Sequence, residues 1–507
     1  MDRLPLQPVT IAAIALLGGV YLLRSRTASR ARRPPGPPGL PLLGNILQVP
    51  VKPVFLIGDI TLAKEVLEKR SAKFSSRPTI PYVRYHVDPA EAYWVFSKQT
   101  ESHFIARKLT TGLMAAVRAG ETEPLQQFEA LLNVTHLLDD GGKNWFHLIE
   151  RVSASMVLSA AFGLHCPTGL EPDLKEVIAC LAELVTLSNP SASIINVLPF
   201  LDMIPGPMPW RKRAQTYRKR EDALYNRLIT RTVSGEASGM NLWATAFASE
   251  DKPEGDQRRL MNQFAGAAIE TTAVSMHTFI LACILYPEWI PRAQREIDAI
   301  VGEDRLPSFK DRPNLPFVEA IRLFGGALLF VSEFPHQSTA DDVVEYQGKE
   351  YFIAKGSIII AVSWAIEHDQ ARFENHDLFQ PERFLDDTNN LKAGYETSAF
   401  GFGRRVCPGI PFAERSLWIN IAMMLWTFNI RRSEEPDPKT GLPFKYDDRD
   451  LAFSGNFTSG PFEFPAVFEP RSMQRLEVAR QEWAECEKDL NVLLPRHKEQ
   501  YKLGITG

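Results

Sequence analysis

The stretch FGFGRRVCPG, Phe400 to Gly409, decides how the rest of the chain is read. It sets one cysteine, Cys407, among glycines, arginines and a proline. Glycine lets a backbone lie close to a flat ligand and take turns closed to other residues. Arginines beside a thiol favour the thiolate, the form that binds metal. Pro408 removes one backbone donor, while neighbouring N–H groups can still point at the sulfur and tune it. The run that follows, IPFAERSLWINIAMMLWTFNI, is apolar enough for a buried helix. Cys407 therefore stands just ahead of a helix N-terminus, whose dipole stabilises negative charge. A structural cysteine before a core helix is the bland alternative. Zinc is disfavoured, because no second Cys or His lies at ligand spacing nearby.

Phe400, Gly403, Arg405, Cys407 and Gly409 fill the pattern F-x-x-G-x-R-x-C-x-G without a mismatch. In this the stretch resembles the haem-binding loop of the cytochrome P-450 superfamily. The resemblance implies haem b held by Cys407 as axial iron ligand, with the other four residues shaping its loop. It implies a fold that is mainly α with a small β region, a single large triangular domain. It also implies monooxygenation of a lipophilic small molecule, with one oxygen atom entering a C–H or C=C bond and the other leaving as water. Electrons would come from NADPH through a reductase, with cytochrome b5 as a further partner. A thiolate ligand pushes electron density that favours O–O cleavage.

Upstream, Gln257 to Tyr286 has a long helical pattern centred on Ala267-Ala268-Ile269-Glu270-Thr271-Thr272. The family motif there is [AG]-G-x-[DE]-T-[TS]. Glu270, Thr271 and Thr272 match it, and Ala268 stands where glycine is expected. The chemistry needs an alcohol and a carboxylate beside dioxygen, to hydrogen-bond it and relay protons. One extra methyl at Ala268 narrows that groove. Glu319 and Arg322 form an E-x-x-R pattern, one helical turn apart and able to pair. With Arg383 of FQPERF they would make the family's buried triad. His336, in a stretch resembling the strand pair after that helix, is a candidate haem-propionate contact.

The helix that carries W-x-x-x-R in the family is best matched by SHFIARKL, with His103 or Phe104 at the Trp position and Arg107 as the cation. Trp94 with Lys98 is the alternative. A guanidinium suits a carboxylate better than an ammonium does. Residues 78 to 108 are aromatic and irregular, as expected of a loop over the substrate. Asn189 to Trp210 is rich in proline and apolar residues, as expected of a roof that dips into lipid. Ile60 to Lys69 reads as a helix and Val54 to Ile57 as a strand. The helix and strand that related fungal enzymes place before them are missing, which leaves a sheet edge without its partner.

At the N-terminus Val9 to Leu23 carries no charge, and with its flank just reaches a bilayer span. Arg24, Arg26, Arg30, Arg32 and Arg33 follow, which holds the remainder in the cytosol. Residues 1–33 thus read as an anchor for the endoplasmic reticulum membrane, 34–507 as the catalytic domain and 34–44 as a proline-stiffened hinge. The chain has 507 residues, a net charge of −4 and five scattered cysteines. That charge gives no reason to expect nucleic acid, and the cysteines point to a reducing compartment. Two sequons, at Asn133 and Asn456, are expected to stay unmodified on the cytosolic side.

Phe457 is expected to return over the pocket, and Ser472 to Leu494 reads as a charged surface helix. The resemblance is to fungal members of secondary metabolism, acting on terpenoid, polyketide or indole skeletons. Two rival functions stand beside it: a rearranging or dehydrating enzyme of the same fold, and an inactive pseudoenzyme.

Overall fold

The computed structural model describes residues 53–89, 91, 93–189, 192–234, 256–327, 334–395, 397–436, 440–447, 453–454 and 459–494. The expected anchor, the hinge, Phe457 and Asn456 lie outside the described residues. Contacts divide the chain into two compact units, Met1–Phe55 with Ser338–Ile358, and Leu56–Gln337 with Ile359–Gly507.

The strands are β1 (Val54–Ile57), β2 (His336–Gln337), β3 (Asp342–Tyr346), β4 (Lys349–Ile353), β5 (Ile358–Ala361), β6 (Phe428–Arg432) and β7 (Ala466–Pro470). In the smaller unit β3 and β4 form an antiparallel hairpin, with Val344 opposite Tyr351. Its turn residues, Gln347 and Gly348, have φ of 51° and 70°, the doubly positive pair that a two-residue hairpin turn requires. In the larger unit β6 pairs antiparallel with β7, Ile430 opposite Phe468. The remaining strands are ordered β1–β5–β2.

Among the described residues ten α-helices have twelve residues or more, all in the larger unit, and the fold is mainly α with a small β region. The first five are α1 (Glu101–Arg118), α2 (Glu123–Asp140), α3 (Trp145–Phe162), α4 (Pro172–Ser188) and α5 (Pro209–Val233). Then come α6 (Asp256–Leu285), α7 (Ile290–Val301), α8 (Pro316–Ala327), α9 (Ile410–Thr427) and α10 (Met473–Glu485).

The apolar run after Cys407 becomes α9, buried at every position from Ser416 to Thr427. A helix apolar all round must be enclosed by others. Residues of α2, α6, α7, α8 and α10 share its core cluster. Gly266–Leu285, within α6, is long and apolar enough to cross a membrane, but 72% of its apolar window is buried inside the protein. That burial explains its composition as core.

Two elements differ from expectation. The helix expected over Ile60 to Lys69 runs only to Lys64 and continues as a π-helix, Glu65–Lys69. Such turns shift backbone carbonyls out of the regular ladder, often at functional sites. The expected charged surface helix is a clasp. Arg475 of α10 is 1% exposed, pairs with Asp298 and Glu303 at 2.9 and 3.0 Å, and lies over the Trp426 ring. Leu490, Leu493 and Leu494 beyond it are buried. Charged residues read as surface when their buried partners are distant in sequence.

Candidate functional site

The loop before α9 is set by close backbone approach. Gly403 has φ of 55°, and a Cβ there would fall 2.2 Å from Leu67 O and 3.1 Å from Glu68 Cα. The carbonyl comes from the π-helical turn, so only glycine fits. Cys407 N donates to Phe400 O at 2.8 Å, closing the loop. Upstream, buried Glu367 accepts from Ser398 N at 2.7 Å, Ser398 Oγ at 2.9 Å and Tyr395 Oη at 3.2 Å. This carboxylate pins the entry to the loop, and no motif pointed to it.

Burial pushes the Cys407 thiol up from its ordinary value, while the N–H groups of Gly409 and Ile410 and the Arg107 guanidinium pull it down. The expectation that the flanking arginines would favour the thiolate needs correction. Arg404 is exposed, and Arg405 turns away to carbonyls: Nε to Ser75 O at 2.7 Å, Nη1 to Trp94 O at 3.0 Å and Nη2 to Ser97 O at 2.8 Å. The helping cation is Arg107 of α1, whose Nη1 donates to Val406 O at 2.5 Å.

Three guanidiniums gather here. Burial and the neighbouring Arg77 and Arg107 push Arg405 down from its ordinary value. A guanidinium stays protonated in proteins, so the shift expresses crowded positive charge. Arg77 donates to the carbonyls of Val95, Phe334 and Pro335. Among the described residues no carboxylate pairs with Arg107 or Arg405. His103 sits beside them, its Nδ1 accepting from Arg405 Nη1 at 2.9 Å. Burial and the same arginines push its pKa down to about 3, so the ring is neutral. Of the two residues weighed for the Trp position, His103 is buried and Phe104 is half exposed.

This arrangement fits haem. Its acid side chains would balance the guanidiniums, and a partly buried thiol facing two N–H groups suits an iron ligand. His336 contributes differently from expectation. Its Nδ1 lies 2.6 Å from Phe74 O, which can only accept, so the proton sits on Nδ1. Burial, then Arg77, holds the ring neutral, leaving no proton on Nε2 for a propionate.

Glu319 and Arg322 meet as their spacing allows, Arg322 Nε donating to Glu319 Oε1 at 2.7 Å. The expected third member, Arg383, is not in the set. Arg312 takes that place, with Nε and Nη2 on the two oxygens of Glu319, both at 3.0 Å. Arg322 also reaches Glu414 of α9 at 3.3 Å. Arg383 donates to the carbonyls of Asn375 and Leu378 and stacks on Phe373. It lines a cavity of about 600 Å³ with Arg372, Lys392 and Tyr395. Arg312 lies on the short turn Phe309–Asn314 just before α8, seven residues from Glu319.

On α6, Thr271 Oγ1 donates to Ala267 O at 2.8 Å, the internal bond that threonine commonly makes in helices. Glu270 is partly buried. Gly266 does not substitute for the glycine missing at Ala268. A Cβ there would fall 2.4 Å from Leu181 Cδ2 of α4, so Gly266 serves helix packing. A Cβ on Gly460 would fall 2.8 Å from Val274 Cγ1, which brings the C-terminal loop onto α6 within a turn of Thr271.

Comparison with known proteins gives the family. The Cytochrome P450 family profile matches residues 47–446. "Cytochrome P450 monooxygenase peniB" of Penicillium patulum is 30% identical, over 95% of this chain and 92% of its own length. "Cytochrome P450 monooxygenase 58" of Postia placenta is 31% identical over 87% and 90%. "Cytochrome P450 monooxygenase verL" of Clonostachys rogersoniana is 29% identical over 95% of each. A solved zebra fish cytochrome P450, described with abiraterone, superposes with a TM-score of 0.62 at 20% identity, covering 83% of this chain and 94% of that one, a likeness of fold. The chain belongs to the cytochrome P450 family.

Proposed function

We propose that this protein inserts one atom of dioxygen into a lipophilic substrate, by hydroxylation or epoxidation, with Cys407 as iron ligand and Arg77, Arg107 and Arg405 seating the acid groups of haem. Family membership carries the reaction class: a haem-thiolate monooxygenase with haem b, drawing electrons from NADPH through a reductase. The observation that carries the residue assignment is that Arg107 and Arg405, close to the Cys407 thiol, meet no carboxylate among the described residues. Haem, when bound, supplies the activation of dioxygen.

The chain's own residues do the rest. Gly409 and Ile410 hold negative charge on Sγ by their N–H groups, and charge-assisted bonds of this kind are the strong ones. Gly403 keeps the loop close to the π-turn. Thr271 Oγ1 leaves Ala267 O to donate toward the reaction space and returns afterwards, so its proton has an acceptor at rest. Glu270, next to it, is the proton source.

The chain is further read as anchored in the endoplasmic reticulum membrane by residues 9–23, its catalytic part cytosolic, with cytochrome b5 as an additional electron donor. Val197, Phe200 and Met203 are 70%, 62% and 83% exposed, and exposed apolar groups of this kind support a lipid-facing roof. Terpenoid, polyketide or indole skeletons are the substrate classes by analogy with fungal relatives. The test is the reduced carbon-monoxide difference spectrum of the expressed chain. A Soret band at the thiolate position that Cys407→Ala abolishes is expected. Its retention in Cys407→Ala refutes the ligand assignment.

A further inference from the structure

The segment Tyr93–Ser97 is held at both ends by buried polar contacts. At one end Tyr93 Oη donates to Glu221 Oε2 of α5 at 2.5 Å, and Tyr217 Oη donates to Glu221 Oε1 at 2.9 Å. Tyr93, Tyr217 and Glu221 are 2%, 1% and 4% exposed. Short bonds from hydroxyl to carboxylate, out of water, are strong and directional. At the other end Trp94 O and Ser97 O accept from Arg405, while Val95 O accepts from Arg77. Between the ends the backbone is closed on itself. Phe96 N and Ser97 N both donate to Tyr93 O, at 2.8 and 3.0 Å, and Ser97 Oγ donates to Trp94 O at 2.9 Å. Tyr93 N is fixed on Asp88 at 2.7 Å. A segment so bonded moves as one piece.

We propose that Tyr93–Ser97 is a rigid strap that couples helix α5 to the arginines beside Cys407, with Tyr93, Tyr217 and Glu221 as its latch. The inference rests on the reading that those arginines seat haem. Tyr93 is a positioning residue: it acts on Arg405 through the carbonyls that follow it. When α5 lifts, the latch pulls the strap, and Arg405 loses the acceptors that aim it. When the latch is shut, the arginines are aimed and the cofactor is held.

Two readouts test this on the purified holoprotein. Tyr93→Phe should raise amide exchange in peptides from both the strap and α5. It should also speed haem transfer to excess apomyoglobin by about tenfold, the effect of losing one hydrogen bond to a charged group. Tyr217→Phe, which leaves Tyr93 on Glu221, should do both more weakly. Glu221→Gln keeps an acceptor and should fall between them, and it replaces Tyr93→Phe should that variant not accumulate. Exchange confined to α5 with unchanged haem transfer overturns the coupling, as does no change in either. Exchange is also measurable on protein without cofactor, so loss of the haem reading and loss of the strap are told apart.

Discussion

Two clusters of arginine in this molecule are built alike and balanced differently. At α8, Arg312 and Arg322 meet Glu319 and Glu414, two cations with two carboxylates. Burial pushes the Glu319 carboxyl up, but Arg322 and Arg312 outweigh it and hold it below the usual value. Beside Cys407, Arg107 and Arg405 have no described carboxylate, and their neighbours are carbonyls and neutral histidine rings. A closed set is structure. A set left open among the described residues carries charge in a place where desolvation is costly, which supports the proposed seat for an acid from outside the chain.

The comparison breaks first at its closed side. Glu319→Ala leaves Arg312 without its carboxylate and the buried Arg322 with Glu414 alone. Breaking such a pair costs about 3–5 kcal/mol, a large share of a stability of about 5–15 kcal/mol. The variant should melt far lower or fail to accumulate, as thermal denaturation would reveal. Unchanged melting would mean that this set is ornamental.

The open side predicts the opposite pattern. Arg107→Ala removes one uncompensated cation, so the protein without haem should melt no lower than the unaltered chain. Haem affinity should fall about ten- to a hundredfold, the loss of a charge-assisted bond. Titration with hemin against melting curves separates the two effects. A fall in stability without cofactor would make Arg107 a structural residue.

Arg383→Ala sharpens the assignment of Arg312. Loss of Arg383, which donates to two carbonyls and stacks on a ring, should cost about 1.5–3 kcal/mol, short of Glu319→Ala. A loss equal to that of Glu319→Ala would restore Arg383 to the ion set. The smallest effect on stability belongs to Thr271→Ala, within about 0.5 kcal/mol, because among the described residues its hydroxyl bonds a carbonyl of its own helix. Haem binding should stay intact. Product formed per NADPH should fall while hydrogen peroxide rises, and full coupling would remove Thr271 from proton handling.

What could be read in the sequence followed from distance along the chain. The Cys407 loop is ten contiguous residues, and Glu319 with Arg322 is one helical turn, so both were legible. Arg77 reaches Phe334 across 257 residues, and Tyr93 reaches Glu221 across 128; only the fold makes those pairs. Arg312 was missed because the familiar pattern supplied Arg383 instead. Asn133 shows a further limit. It is fully buried in α2, so an unmodified sequon there reports folding and no longer reports membrane topology.

The central claim is that the open cluster waits for the acid groups of the cofactor. The direct measurement compares haem with its dimethyl ester, which keeps the iron and the ring but has no acid charge. Protein freed of cofactor should bind haem and give the thiolate-type spectrum, while the ester binds about a hundredfold more weakly, on the order of two charge-assisted bonds. Equal binding of the ester would contradict the account, for the arginines beside Cys407 would then have no acid to meet.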